Sequence, residues 1–136
     1  MKDGIMIGVF ARCGYLSINK RGNQPRGRIK MTPVARVHGP GKMLETFRYL
    51  AEEYGGHVVV GKFGGWCIEF TTHDTIRRIC DLLSYAECPL PERLENEVEI
   101  MLRFLGFKTR PGPSQGSRSY EGRYEAYLDM QGLKGR

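Results

Sequence analysis

The run IMIGVFARCGYLSINK, from Ile5 to Lys20, constrains the fold more than any other stretch of this chain. Its first half is apolar and rich in small side chains, spaced for a short helix with one buried side. Gly14 ends that helix. The chain then passes at once into alternation, Leu16 and Ile18 against Tyr15, Ser17 and Asn19, which is the period-two pattern of a half-buried strand. A helix that becomes a strand without a loop between them demands a sheet against which the helix can lie.

The rest of the first half supplies that sheet. RGNQPRG, from Arg21 to Gly27, reads as a polar turn. Beyond it Arg28, Lys30, Thr32 and Arg36 share one strand face, and Ile29, Met31, Ala35 and Val37 share the other. This predicts a hairpin with a basic face, in which Pro33 marks an edge or a bulge. Met43, Leu44, Phe47, Leu50, Ala51 and Tyr54 then fall at helical spacing, stopped by Gly55 and Gly56. Residues 57–62 and 66–71 read as a second hairpin, turned through Phe63, Gly64 and Gly65. A third helix carries Ile76, Ile79, Cys80 and Leu83. After Pro89 and Pro91 a fourth carries Leu94, Val98, Met101 and Leu105, with Glu92, Glu95, Glu97 and Glu99 expected on its wet side. The predicted class is α+β, in the order αββαββα with an extra C-terminal helix, a four-stranded antiparallel sheet and helices on one face.

Residues 1–108 read as one domain and residues 109–136 as a basic Gly, Ser and Pro-rich tail or arm, with at most one helical turn near its end. Charge is uneven along the chain. Residues 1–38 hold eight Lys or Arg against Asp3 alone, whereas residues 39–108 hold eight against eleven acids. Positive charge gathered on one hairpin is the footprint of a polyanion-binding face. No apolar run approaches the roughly 18 residues that span a bilayer, so no membrane partner is implied and a cytoplasmic, intracellular protein is expected.

Several signals carry little chemistry. Cys13, Cys67, Cys80 and Cys88 form no CxxC pair and no His stands at ligand spacing, which argues against zinc. HGPGK, from His38 to Lys42, lacks the first glycine and the Ser or Thr of a phosphate-cradling loop, and reads as a helix entry. Trp66 shares parity with Ile68 and Phe70 and is expected to pack. Tyr120, Tyr124 and Tyr127 are expected to dock the tail on the domain. No cofactor is implied.

The helix carrying MIGVFARCG, opening an αββαββα order, resembles the defining motif of the LAGLIDADG homing endonucleases over about residues 4–107. The resemblance implies a saddle-shaped sheet that covers the major groove of duplex DNA. Gly8 matches the small residue at which two motif helices approach, and Gly14 matches the terminal glycine. With Ala11, Arg12 and Cys13 they mark a motif helix through which a homodimer would form. Ser17, Asn19, Arg28, Lys30, Thr32 and Arg36 would then point into the groove, with Arg21, Arg26 and Lys62 near phosphate.

Two departures from the motif shape the functional expectation. The metal-binding carboxylate of the family falls on Cys13, a softer ligand that carries no charge as a thiol. Arg12 stands where a small interface residue would be. The expectation is therefore a duplex DNA-binding protein with no catalytic or metal-ligating residue, not an enzyme, and acting as a transcriptional regulator. The alternatives are a divergent divalent-metal-dependent endonuclease and an RNA-binding module.

Overall fold

Helix α1 (Lys2–Cys13) runs directly into strand β1 (Gly14–Asn23), and Gly14 permits the junction. A Cβ at position 14 would stand 2.6 Å from the Phe10 Cα, nearer than packed atoms approach. The structure, a computed structural model, describes residues 2–23, 29–61, 64–107 and 116–134, with the backbone alone at 21–23 and 116–118.

Strand β2 (Ile29–Gly39) returns antiparallel to β1, pairing Gly14 with Val37 and Arg21 with Lys30. A 3-10 turn over Gly41–Met43 leads into α2 (Leu44–Tyr54), so the glycine and proline run there is a helix entry. Gly55, at φ 79°, takes the left-handed conformation that closes α2. Strands β3 (His57–Val60) and β4 (Trp66–Phe70) form the second hairpin, and the sheet order is β1-β2-β4-β3. Helices α3 (His73–Ser84), α4 (Glu92–Leu105) and α5 (Gly116–Lys134) complete an α+β architecture.

Alternation along each strand separates the sheet into two faces. Leu16, Ile18, Ala35, Val37, Ile68 and Phe70 are buried toward the helices, which close over them with Phe10, Phe47, Ile79 and Met101. Each Leu, Ile, Val, Phe or Met among them stabilises the fold by about 1.5–3 kcal/mol relative to exposure. The opposite face of the sheet carries Tyr15, Ser17, Asn19, Lys30, Thr32 and Arg36. Trp66 packs against the core, as its parity implies.

Two expectations about the helices are corrected. Glu97 is not on a wet face but wholly buried, and three groups compensate it: the Leu16 N–H at 2.8 Å, Arg93 at 2.7 Å and Lys134 at 3.0 Å. Arg93 also donates to the Gly14 carbonyl at 3.0 Å, so α4 fastens the junction between α1 and β1. Residues 116–134 form a long helix where at most one turn was expected. Ala126 and Met130 of α5 are fully buried in the core, and Gly122 lies against the Phe107 ring. Tyr120, Tyr124 and Tyr127 stack along α5, and the Tyr120 hydroxyl accepts from the Ile29 N–H at 3.1 Å.

Among the described residues no helix is long and apolar enough to cross a membrane.

Candidate nucleic-acid interface

The open face of the sheet is organised by cross-strand register. Asn19 stands opposite Thr32, Ser17 opposite Val34, and Tyr15 opposite Arg36, which in turn faces Glu69 on β4. Ser17, Asn19, Thr32 and Arg36 are half-buried and Lys30 is exposed, so five of the predicted contact residues share one surface. The backbone of Arg21 pairs with Lys30 at the far end of the hairpin. Arg26, Arg28 and Lys62 lie outside the described residues.

Arg36 is not a free cation. Its Nε donates to Glu69 Oε2 at 2.7 Å, and both side chains are about a third to a quarter exposed, at 31% and 25%. Burial opposes the guanidinium charge, but Tyr15 and Glu69 outweigh it and hold the Arg36 pKa above its ordinary value. The charge is therefore permanent and its direction is fixed. Sequence reasoning missed Glu69, although its position two residues before Thr71 on an alternating strand places it on the face opposite Ile68 and Phe70.

Beside this pair the Tyr15 hydroxyl lies 3.3 Å from His38 Nε2, and the two rings stack with centroids 5.7 Å apart. Cys67 Sγ lies 3.9 Å from the same nitrogen, and burial pushes its thiol pKa up. Tyr15 and His38 were also missed. Their parity with Ser17 and Arg36 was the available signal.

At the other edge of this surface the motif helix exposes Gly8, Arg12 and Cys13, while Met6, Val9 and Phe10 enter the core. Nothing lies within 4 Å of a Cβ built at Gly8, and Ala11 is half-buried. Gly8, Ala11, Arg12 and Cys13 line an apolar groove of about 650 Å³ that also takes in His38 and Cys88.

A hard divalent cation, which the family resemblance implies at position 13, does not fit the groups found there. Cys13 offers sulfur, and the carboxylate that reaches this junction, Glu97, has both oxygens engaged. Among the described residues no group of three or more His, Cys, Asp or Glu side chains is arranged to hold a metal ion.

The fold is that of the LAGLIDADG homing endonucleases. I-TnaI, a homing endonuclease, superposes with a TM-score of 0.74 at 15% identity, over 99% of this chain and 95% of that one. I-SmaMI bound to uncleaved DNA in the presence of calcium superposes with a TM-score of 0.75 at 12% identity, over 99% of this chain and 48% of that one. I-CvuI in complex with the I-CreI target superposes at 0.71 and 10% identity, over 98% and 80%. No protein-family model matches the sequence, and no curated protein matches it.

These neighbours correct one expectation outright. The missing carboxylate at Cys13 led to the reading that the chain is not an enzyme. I-TnaI, I-CvuI and I-SmaMI share its fold and are homing endonucleases, which are enzymes, so inactivity does not follow from position 13.

Proposed function

We propose that this chain is a divergent homing endonuclease that docks duplex DNA on the open face of its sheet and cuts it there. The observation that carries this reading is the match, across nearly the whole chain, to I-SmaMI bound to its uncleaved DNA target and to I-CvuI in complex with the I-CreI target. Ser17, Asn19, Arg28, Lys30, Thr32 and Arg36 are the residues we assign to the groove, with Arg21, Arg26 and Lys62 near the phosphates. Arg and Asn suit the edges of guanine and adenine, whereas phosphate contacts supply most of the affinity and its salt dependence.

Two copies pair through α1 in this reading. Gly8 leaves an open notch on the exposed side of the helix, and the chain spans less than half of I-SmaMI but nearly all of I-TnaI. Arg12 sits exposed at the end of that notch, where its long stem can lie along the groove while its charge stays in water. Sedimentation showing a monomer at micromolar concentration, with and without duplex DNA, would remove the dimer.

The deciding experiment selects bound sequences from a random duplex pool. The selected duplexes are then incubated with the protein in magnesium, in manganese and in chelator, with structured RNA as competitor. Scission of the selected duplex is expected. Selective binding without scission in any of the three would defeat the endonuclease reading and leave DNA binding. Preference for RNA would defeat both.

A further inference from the structure

Tyr15 meets both a base and a cation on the open face. Its hydroxyl lies 3.3 Å from His38 Nε2, and Arg36 is its other hydrogen-bond partner. A phenol can serve both at once, because its oxygen accepts from a guanidinium while its O–H donates to the unprotonated nitrogen of a neutral imidazole. Cys67 Sγ, 3.9 Å from the same nitrogen, is a weaker donor. The ring is held as well as the hydroxyl: it stacks on the imidazole at an interplanar angle of 10°, and the Lys134 ammonium lies 4.7 Å from its centroid. Glu69 in turn takes the Arg36 Nε at 2.7 Å. A guanidinium has five donors, so Tyr15 and Glu69 do not exhaust it.

These groups open onto a space large enough for a substrate. Tyr15, Arg36 and His38 line a cavity of about 690 Å³ at the Gly39 end of the sheet, together with Gly41, Gly64 and Gly65. No atom lies within 4 Å of a Cβ built at Gly41 or Gly64, so a backbone can approach there closely. Tyr15 stands two residues beyond Cys13, at the junction whose donors do not suit a hard cation. A nucleophile in contact with a base, and beside an oriented cation, is the arrangement of covalent catalysis. The 3.3 Å separation is loose, as catalytic pairs often are until substrate draws them together.

We propose that Tyr15 is a catalytic nucleophile, which attacks a DNA phosphodiester and holds one broken strand as a phosphotyrosyl ester without a divalent metal. That DNA is the substrate rests on the function proposed above. The Tyr15 oxygen forms a bond to phosphorus while the bond from phosphorus to one neighbouring sugar oxygen breaks. The Tyr15 proton passes to His38 Nε2 and from there to the departing oxygen. Arg36 bears on the nonbridging oxygens, where negative charge builds up in the transition state. Glu69 is a positioning residue that acts through Arg36. Water then attacks the ester, its proton passes through His38 to the Tyr15 oxygen, and the strand is released with a terminal phosphate. The two steps consume one water and no other co-reactant.

The full chain is mixed with the duplex selected from the random pool, labelled at each strand end in turn, in chelator and in magnesium, and then denatured in detergent. A labelled protein–DNA adduct is expected in both conditions, with the nucleotide mapped by peptide mass to the segment that holds Tyr15. Tyr15→Phe should lose the adduct while keeping the melting curve of the parent, and Tyr85→Phe, at a side chain 85% exposed outside the cavity, should retain it. His38→Ala should slow adduct formation by about 100–10,000-fold. Added imidazole should restore part of that rate, which a merely structural histidine would not allow. An adduct mapped to any other residue, or scission without an adduct, overturns the nucleophile and leaves the endonuclease reading. A selected duplex that is bound but neither cut nor joined to protein in either condition overturns both.

Discussion

Glu97 and Glu69 each hold an arginine at 2.7 Å, yet the two carboxylates serve opposite ends. Glu97 is fully buried on the helix side of the sheet, where Arg93, Lys134 and the Leu16 N–H saturate both oxygens. Glu69 is partly exposed on the open side, where it takes the Nε donor of Arg36 beside Tyr15. The first pairing fixes where β1 begins. The second fixes where a charge points. Burial decides which role a salt bridge plays: a dry pair is costly to break, whereas a wet one contributes little to stability and can be used to aim a side chain.

The largest effect expected from this contrast is at Glu97. Glu97→Ala leaves the Leu16 N–H unpaired beside a cavity and releases Arg93 and Lys134, which are 50% and 30% exposed, to water, at a cost of about 3 kcal/mol. For a chain of this size that lowers the melting temperature by on the order of 10 °C. Thermal melting followed by circular dichroism checks it. A drop of a degree or two would mean that the buried pair is solvated in practice, and the distinction between the two carboxylates would collapse.

A smaller effect is expected at the glycine that Glu97 helps to position. Gly14→Ala forces a Cβ against Phe10 and should cost about 2 kcal/mol. Gly8→Ala, six residues earlier on the same helix, meets open space and should stabilise the isolated chain by about 0.5–1 kcal/mol through helix propensity. Urea unfolding of the two variants distinguishes them by sign. At concentrations where two copies pair through α1 as proposed, Gly8→Ala should instead destabilise, because the exposed face of the helix is then covered.

The same contrast explains what was legible in the sequence. Apolar alternation and the Gly14 stop announced the sheet and its first helix, because both follow from local spacing. Glu97 was not legible, since the groups that compensate it come from four, thirty-seven and eighty-one residues away, and a buried Glu reads like any other Glu on a charged helix. Helix α5 was partly legible. Ala126, Met130 and Leu133 recur at spacings of four and three, but the glycines and charges around them dilute the pattern. Parity put Ser17, Asn19, Lys30, Thr32 and Arg36 on one face of the sheet, and left out Tyr15, His38 and Glu69, which come together only through register between strands.

The smallest effect, and the one that sharpens the comparison most, is the coupling between Arg36 and Glu69. A double-mutant cycle to alanine should give only about 0.5 kcal/mol of interaction in stability, because both groups remain partly in water. The same cycle measured on duplex affinity should behave differently. In the proposed docking mode Arg36→Ala removes a groove-facing charge and weakens binding directly. Glu69→Ala keeps that charge but frees it to move, while removing a negative group that repels the DNA backbone, so the two consequences oppose each other. Rigid placement wins if Glu69→Ala weakens binding despite the gain in net positive charge. Tighter binding by Glu69→Ala would show that Glu69 holds Arg36 only for the fold, and the open-face carboxylate would then differ from Glu97 in degree and not in kind.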